Sequence, residues 1–377
     1  MIGYKNARIW TENGFIRGGF SVAEGRFCGV GAERADAVDL GGATVLPGLV
    51  DIHVHGCGGA AFSDGDHDGD VRMARALARR GVTSFAPATE TLPYDVISAA
   101  LEAGLRLHKT PVKGAARLLG VNLEGPFFSP AKKGAQNPAY LRDPDFAAFK
   151  QLYDDCEGLI RLADVAPELP GGLDFIRAAA ACCTVSLAHT DAPYDVARAA
   201  FNAGATHVTH LWNAMPRFLS REPGVIGAAA EDARVTAELI CDGHHVHPSA
   251  VRATFKLFGA DRLCLVSDAL RCCGLPEGDY DSGGLRVTQR DGVARLADGT
   301  IAGAASDLWT DLRNAVAFGV PAEDAVRAAA LTPAREIGAD ACVGSIADGK
   351  YADFVICDET LDRKAVYIGG EPVSDLP

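Results

Sequence analysis

The sequence predicts a (β/α)₈ barrel of the TIM type with a small β-sandwich domain built from both termini. Short, near-continuous apolar runs alternate with amphipathic, Ala-rich stretches from about residue 45 to residue 330. Strands covered by helices on both faces have this pattern, because both sides of a parallel sheet are then buried. The two ends of the chain differ, since they carry short β-like segments joined by Gly turns.

Eight apolar runs have the character of strands, and helical patterns lie between them. Eight such units within roughly 250 residues match the size of a (β/α)₈ barrel. A doubly wound open sheet is the alternative, but no Gly-x-Gly-x-x-Gly motif follows the first strand. The expected strands are residues 45–55, 83–89, 118–124, 160–167, 184–189, 206–210, 235–241 and 263–268. The expected helices include residues 70–80, 94–108, 173–181, 194–203 and 248–258.

The change of pattern along the chain predicts the domain boundaries. Residues 1–44 and 339–377 are expected to form the two parts of the β-sandwich, and residues 45–338 the barrel. A β-hairpin is expected as an insertion near residues 284–301, because β-like segments flank an Asp291-Gly292 turn there.

Composition narrows the class of partner and the compartment. The net charge of −13 argues against nucleic acid and membrane surfaces as partners, because both require a basic face. The net negative charge is compatible with a small anionic substrate, since binding such a molecule needs only a local group of donors. The N-terminus lacks a long apolar segment, and no run approaches the length of a transmembrane helix. The 11 cysteines form no Cys-x-x-Cys motif, which predicts reduced thiols in a cytoplasmic protein.

Polar residues collect where the predicted strands end. Residues i and i+2 of a strand point to the same side, so a His-x-His aims two imidazoles into one space. An isolated pair is as consistent with structural histidines as with a metal site. Four imidazoles and two carboxylates buried at one end of a barrel are costly unless they are paired or ligated, so the whole set predicts a metal site. The set comprises His53, His55, Glu124, His189, His210 and Asp268.

The chemistry follows from this donor set. Nitrogen and carboxylate donors without cysteine suit zinc, iron(II), manganese or cobalt. A metal of this kind with an open position lowers the pKa of a bound water toward about 7. Asp268 is the natural candidate to accept the proton of that water and deliver it to a leaving group; a structural ligand or a helix cap is the alternative. The predicted reaction is hydrolysis, in the first place of an amide.

The motifs occur in an order that resembles the amidohydrolase superfamily and, within it, the N-acetylglucosamine-6-phosphate deacetylases. The resemblance covers essentially the whole chain. Single motifs are weak, whereas the ordered series is highly specific. The matching segments are residues 46–56, 123–127, 132–135, 188–190, 209–215, 221–224, 242–245 and 266–269.

The resemblance implies roles for individual residues. Glu124, His189 and His210 match the principal metal ligands, and Asp268 matches the general acid/base. Where family members keep both imidazoles of the His-x-His, they can hold a second metal, so His53 and His55 are further expected ligands. One or two divalent metals are therefore expected, with zinc first and iron, manganese or cobalt as alternatives. The residues that match substrate-contacting positions are Ala135, Gln136, Asn213, Ala214, Asp242, His245, Ile301, Ala302 and Gly303.

Arg221 matches an arginine that reaches the sugar phosphate from across a dimer interface. The resemblance therefore implies a homodimer in which Arg221 enters the neighbouring active site. A guanidinium suits this role, because its fork of donors fits two phosphate oxygens.

The activity that the resemblance implies is hydrolysis of N-acetyl-D-glucosamine 6-phosphate to D-glucosamine 6-phosphate and acetate. The alternatives are N-acetylgalactosamine 6-phosphate, an unphosphorylated N-acetyl sugar or a cyclic amide as substrate, or a non-catalytic module of the same fold. Gln136 departs from the family, whose members often carry a His there that is thought to polarise the substrate carbonyl. A Gln donates only a neutral hydrogen bond. A metal at the His53 and His55 position is expected to take over this polarisation.

Overall fold

The structure is a computed structural model that describes residues 1–374. Its strands, in chain order, are β1 (Ile2–Thr11), β2 (Gly14–Ala23), β3 (Arg26–Cys28), β4 (Val38–Asp39), β5 (Thr44–Pro47), β6 (Leu49–Asp51), β7 (Gly56–Cys57), β8 (Ala60–Ala61), β9 (Val82–Phe85), β10 (Arg117–Leu118), β11 (Val121–Leu123), β12 (Ile160–Val165), β13 (Thr184–Leu187), β14 (His207–Val208), β15 (Thr236–Leu239), β16 (Leu263–Leu265), β17 (Gly278–Ser282), β18 (Leu285–Arg290), β19 (Val293–Arg295), β20 (Ile301–Ala304), β21 (Phe354–Cys357), β22 (Arg363–Ile368) and β23 (Glu371–Pro372).

The α-helices are α1 (His67–Arg79), α2 (Tyr94–Lys109), α3 (Phe146–Asp155), α4 (Gly172–Ala179), α5 (Tyr194–Ala203), α6 (Gly224–Glu231), α7 (Pro248–Phe258), α8 (Leu308–Ala317), α9 (Ala322–Val326) and α10 (Thr332–Glu336). A π-helical turn, Arg327–Leu331, joins α9 to α10. In the described part of the chain, no helix combines the length and the apolar character needed to cross a membrane. The eleven cysteines all lie in this part and are free thiols.

The parallel strands follow one another around a ring. β6, β9 and β10 form one parallel sheet, and β11 to β16 form a second one in chain order. Only two residues separate β10 from β11, so these two segments share one of eight strand positions. Parallel bridges from Ala88 to Asn122 and from Val54 to Ala269 join the two sheets at both borders. This arrangement is that of a (β/α)₈ barrel.

The helices between these strands bury one face against the sheet, and α1, α3 and α7 are capped at their starts by a side chain. α5 buries Ala197, Ala200 and Phe201, whose spacing of three and four residues places them on one side of the helix. At the start of α3, the Asp145 carboxylate accepts the N–H groups of Ala147 and Ala148, which have no partner within the helix. Because helices cover the sheet, its strands are apolar on both faces.

Strands from both termini form one eight-stranded sheet beside the barrel. Its order is β23-β22-β21-β5-β1-β2-β3, with β4 paired to β1. Both termini thus contribute to one β domain, whose strands are hydrogen-bonded into one continuous sheet. At the β3 edge of this sheet, Arg26 also forms an antiparallel bridge with Tyr351. The sheet encloses its own aromatic core of Tyr4, Phe20 and Phe354.

The first predicted strand, residues 45–55, is two strands that belong to different sheets. β5 pairs with β1 and β21 of the terminal sheet, whereas β6 pairs with β9 of the barrel. The change of sheet falls at Gly48 rather than before Val45. A Cβ at Gly48 would lie 1.9 Å from Oγ1 of Thr83, so only glycine fits this close approach. An unbroken apolar run hides the change, because both strands are fully buried.

The insertion after β16 is larger than the hairpin expected near residues 284–301. It is a four-stranded antiparallel sheet, β17 to β20, of which only the central part follows the expected turn. β17 has the sequence Gly-Asp-Tyr-Asp-Ser and is partly exposed throughout, so it lacks the apolar alternation that marks a strand. β20 consists largely of small residues and is equally inconspicuous.

We expect Phe354→Ala to destabilise the protein by about 3–5 kcal/mol, because it empties a fully buried site. The ring is stacked on Tyr367 with centroids 4.4 Å apart and meets Phe20 edge-on. Chemical denaturation followed by circular dichroism measures the change. Leu257→Ala, at an exposed helix position, is the control and should stay within about 0.5 kcal/mol. An unchanged unfolding midpoint for Phe354→Ala would contradict the assigned core.

Candidate metal centre and substrate pocket

The six residues predicted at strand ends converge at the carboxyl-terminal mouth of the barrel. Two groups of potential ligands share one carboxylate, that of Glu124, and within each group the ligand atoms lie within 4.8 Å of one another. The first group adds His189 and His210, and the second adds His53 and His55. All five side chains are buried. Asp268 stands beside both groups, with Oδ1 at 3.3 Å from Nε2 of His55 and 3.6 Å from Nε2 of His53.

The group of Glu124, His189 and His210 has donor atoms that suit a cation. Oε1 of Glu124 lies 3.1 Å from Nε2 of His189 and 3.4 Å from Nε2 of His210. The two Nε2 atoms are themselves 3.1 Å apart. Nδ1 of His189 faces the carbonyl oxygen of Lys132 at 2.9 Å and must donate to it, so neutral His189 turns its Nε2 lone pair toward the carboxylate. Lone pairs and a negative charge that converge in this way fit a divalent metal.

The donor atoms of His53, His55 and Glu124 also suit a cation. Nε2 of His55 lies 3.2 Å from Oε2 of Glu124. Nε2 of His53 lies 3.6 Å from Oε1 of Glu124, and it is a buried atom without a hydrogen-bond partner within residues 1–374. A buried polar atom left unpaired in this way is costly unless something binds it. Both groups can therefore hold a metal.

The local electrostatics show how tightly these charges are coupled. Burial alone would raise the pKa of Glu124, but His53 and His189 outweigh it and hold that pKa well below its usual range. Burial likewise opposes protonation of His55, yet the carboxylates of Asp268 and Glu124 raise its pKa to about 9. In the metal-free site these carboxylates thus favour a proton on the His55 ring, and a bound cation would displace it.

Three of these residues have a backbone conformation that side chains rarely adopt. The φ angle is +44° at His189, +30° at His210 and +49° at Asp268, all in the left-handed region. Backbone bonds hold them in place: the N–H of Asp268 donates to the carbonyl of His53 at 2.9 Å. Strain of about 1–3 kcal/mol per residue persists only where the surrounding fold over-determines it, and it clusters at functional sites.

A pocket opens above the candidate metal groups. Of the predicted substrate-contacting residues, seven line it: Ala135, Gln136, Asn213, Ala214, His245, Ile301 and Ala302. Asp242 lies behind this wall and orients His245, since its Oδ2 is 2.6 Å from Nδ1 of that ring. Gly303 abuts the site from below, because a Cβ there would lie 2.8 Å from the carbonyl oxygen of Asp268. Arg221 lies elsewhere, in an exposed loop that lines a separate surface cleft.

Gln136 is engaged with the site rather than free in the pocket. Its Nε2 donates to Oε2 of Glu124 at 2.9 Å, and its Oε1 accepts the N–H of Thr91 at 2.8 Å. The amide therefore holds the shared carboxylate in place.

Sequence reasoning missed several polar residues of the site. Glu90 follows β9 and lines the pocket, where it accepts a hydrogen bond from the hydroxyl of Ser282 in the inserted sheet. The rule that polar residues mark strand ends could have identified Glu90. Glu238 is a fully buried carboxylate inside β15, with Oε2 at 2.8 Å from Nδ1 of His53. Its signal was a lone acidic residue within an apolar run.

A parallel barrel with buried nitrogen and carboxylate ligands at its mouth defines a class of metal-dependent hydrolase folds. Residues 44–373 match the model of the family described as "Amidohydrolase family". The chain therefore belongs to the amidohydrolase family.

The similar proteins span nearly the whole chain. The N-acetylgalactosamine-6-phosphate deacetylase of Escherichia coli O157:H7 is 35% identical over 372 residues, which cover 97% of this chain and 98% of that protein. The N-acetylglucosamine-6-phosphate deacetylase of Bacillus subtilis (strain 168) is 37% identical over 384 residues, which cover 93% and 92% respectively.

Solved structures of similar proteins also match this chain over nearly its whole length. A Mycobacterium smegmatis N-acetyl-D-glucosamine-6-phosphate deacetylase in complex with N-acetyl-D-glucosamine-6-phosphate has a TM-score of 0.92 at 36% identity, covering 99% of this chain and 98% of that chain. The N-acetylglucosamine-6-phosphate deacetylase of Thermotoga maritima has a TM-score of 0.88 at 28% identity, covering 99% of each chain. The fold shared with these proteins is a TIM-type barrel with a β domain.

We expect Glu124→Gln to weaken divalent metal binding by at least about 10–100-fold, since it removes the carboxylate common to both groups. Metal content after dialysis, measured by inductively coupled plasma mass spectrometry, gives the result. Asp191→Asn, an exposed position outside the ligand groups, is the control and should keep the wild-type metal content. Full metal content in Glu124→Gln would show that the ligands lie elsewhere.

Proposed function

We propose that this protein is a metal-dependent deacetylase that hydrolyses N-acetyl-D-glucosamine 6-phosphate to D-glucosamine 6-phosphate and acetate. The observation that carries the proposal is the buried donor set around Glu124, with Asp268 beside it at the floor of a pocket. Its support comes from relatives of this activity that match the chain almost from end to end. The non-catalytic alternative is disfavoured, because every expected ligand position is occupied by a competent side chain.

We assign Glu124, His189 and His210 to a first divalent metal, and His53 and His55 with Glu124 to a second. Zinc is the first candidate, and iron, manganese or cobalt suit the same nitrogen and oxygen donors. Such a metal, when bound, supplies Lewis acidity and lowers the pKa of a water toward about 7.

Asp268 is the proposed proton carrier. Its carboxylate lines the pocket, and its two oxygens face His55 at 3.3 Å and His245 at 3.7 Å. A carboxylate in this position accepts the proton of the attacking water and then delivers it to the nitrogen of the departing amine. The neighbouring imidazoles orient the carboxylate and leave one edge open toward the pocket.

The wall that faces the sugar combines donors and backbone groups. We assign Asn213, Ala214 and His245 to the sugar, with the loop of Ile301 and Ala302 closing over it. His245 is held for this task by Asp242, which accepts hydrogen bonds from its ring and from its backbone N–H. A pocket of fixed polar groups discriminates hydroxyl positions, because an unmatched group is left without a partner.

We assign Arg221 to the phosphate, bound in the active site of a second copy of this chain. Two observations support this: Arg221 is exposed, and it lies outside the pocket of its own chain. A homodimer is therefore part of the proposal.

A second candidate substrate is N-acetyl-D-galactosamine 6-phosphate, because a relative of that activity is 35% identical over nearly the whole chain.

Acetate release from the two epimeric sugar phosphates and from unphosphorylated N-acetylglucosamine distinguishes the candidate substrates. We expect the gluco epimer to give the highest kcat/KM in the presence of zinc, iron or manganese. No acetate release from any of the three would overturn the proposal, and preference for the galacto epimer would reassign the substrate.

We expect Arg221→Ala to raise KM for the sugar phosphate by about 10–100-fold while kcat changes less. The reason is that a charge-assisted hydrogen bond contributes about 1.5–3 kcal/mol. Steady-state kinetics on phosphorylated and unphosphorylated substrates measure the effect, which should be confined to the former. Arg217→Ala, in the same exposed loop, is the matched control. Equal KM values for both variants and wild type would remove Arg221 from the phosphate site.

We expect His55→Ala to lower the metal content from two ions per subunit to one and to lower kcat, since Gln136 cannot replace the lost electrostatic contribution. Metal analysis and acetate release are measured on the same preparation. His67→Ala, outside the pocket, controls for the loss of an imidazole. A His55→Ala protein with one metal and full kcat would refute a role for the second site.

A further inference from the structure

Beneath the candidate metal groups lies a fully buried carboxylate that the proposed reaction does not use. Glu238 sits in the middle of β15, with no exposed surface. Removing a charge from water costs several kcal/mol unless partners compensate for it. Its contacts therefore indicate what this side chain does.

Both oxygens of Glu238 face residues from other strands, and one of them, Oε2, accepts hydrogen bonds. Oε2 accepts the ring Nδ1–H of His53 at 2.8 Å and the backbone N–H of His210 at 2.9 Å. Oε1 faces Nε2 of His207 at 3.4 Å. One carboxylate thus joins the ends of β6 and β14, which carry one expected ligand from each metal group.

The contact with His53 determines which ring nitrogen points at the metal site. Because a carboxylate can only accept, Nδ1 of His53 carries a proton, and Nε2 is the nitrogen whose lone pair is available to a metal. Nε2 is the atom that is buried without a hydrogen-bond partner in residues 1–374, at 3.6 Å from both Glu124 and Asp268. Metal-bound histidines are commonly held in this way by a carboxylate at the other ring nitrogen.

The contact with His210 is of a different kind. Glu238 holds the peptide N–H of this residue, whose φ angle is +30°, and leaves its ring untouched. That ring is aligned by Glu124 and His189 instead. Loss of Glu238 should therefore affect the ring of His53 more than the ring of His210.

A further layer holds Glu238 from below. Nδ1 of His207 lies 2.6 Å from Oγ1 of Thr236, which donates to Oε2 of Glu336 at 2.6 Å. His207 is fully buried as well. Glu238 is thus fixed between two imidazoles, and Glu336 belongs to this support without touching any expected ligand.

We propose that Glu238 is the positioning residue for the metal held by His53 and His55, and that it sets the affinity of that half of the site. It acts through the hydrogen bond to Nδ1 of His53, which presents the other nitrogen to the metal. This inference rests on the proposed function for the existence of the second metal.

The test is a zinc titration of the metal-free full-length protein, in competition with a chromophoric chelator. We expect wild type to bind two ions per subunit. Glu238→Ala should raise the Kd of one site by about 10–100-fold and that of the other by less than about threefold. Glu238→Gln, which keeps a neutral acceptor at the same place, should recover the affinity to within about tenfold of wild type. Where Glu238→Ala fails to fold, Glu238→Met keeps the volume and accepts no hydrogen bond.

Glu336→Gln is the matched control, because it alters the buried support without removing a contact to His53; its two Kd values should stay within about threefold of wild type. Circular dichroism of the metal-free variants checks the fold. Unchanged zinc affinity in the Ala or Met variant, equal weakening of both sites, no recovery in Glu238→Gln, or a wild type that binds a single ion would each overturn the inference. Acetate release by wild type is assayed separately, and its absence would instead overturn the proposed function.

Discussion

The buried carboxylate of Glu124 must be balanced by positive charge, because a lone carboxylate removed from water is destabilising by several kcal/mol. Its two oxygens face four imidazoles and the amide of Gln136 at the mouth of the barrel. Protons on the rings of His53, His55 and His210, whose pKa values are raised, or bound cations satisfy this carboxylate. A divalent metal held by these donors would replace such protons, and both Asp268 and the pocket lie beside this one group.

The barrel supplies the rigidity that such a site needs. His189, His210 and Asp268 all have left-handed backbones two or three positions beyond the ends of their strands. Each such conformation costs free energy that only a firmly packed scaffold can offset. The parallel sheet around them is buried on both faces and bridged at both borders. The strain turns each side chain into the pocket at the point where the strand ends.

Carboxylates and imidazoles alternate with depth below the pocket. The carboxylates of Glu124 and Asp268 meet His53, which meets Glu238, which meets His207, which in turn lies 3.7 Å from Glu336. Contacts between neighbouring carboxylates and imidazoles reduce the cost of burying each of them. The inserted sheet completes the upper end, where Ser282 binds Glu90 at the pocket wall. The site therefore extends through the barrel rather than lying only on its surface.

Several features of this protein could be predicted from the sequence alone. The alternation of apolar runs with amphipathic stretches reports burial on both faces of a sheet, and polar residues such as Glu124 and His210 stand out where those runs end. Both signals are local, since they depend on the spacing of residues along the chain. For the same reason Glu90 could also be predicted, because it is a polar residue at the end of an apolar run.

The remaining features of the fold and of the site depend on contacts that only the tertiary structure shows. The change of sheet at Gly48 depends on the approach of Thr83, and the engagement of Gln136 depends on Glu124 and Thr91. The role of Glu238 depends on its contacts with the rings of His53 and His207, which belong to two other strand positions. These contacts join residues far apart in the chain, so no local pattern reports them; they arise only when the sheet closes and sets the distances between strands.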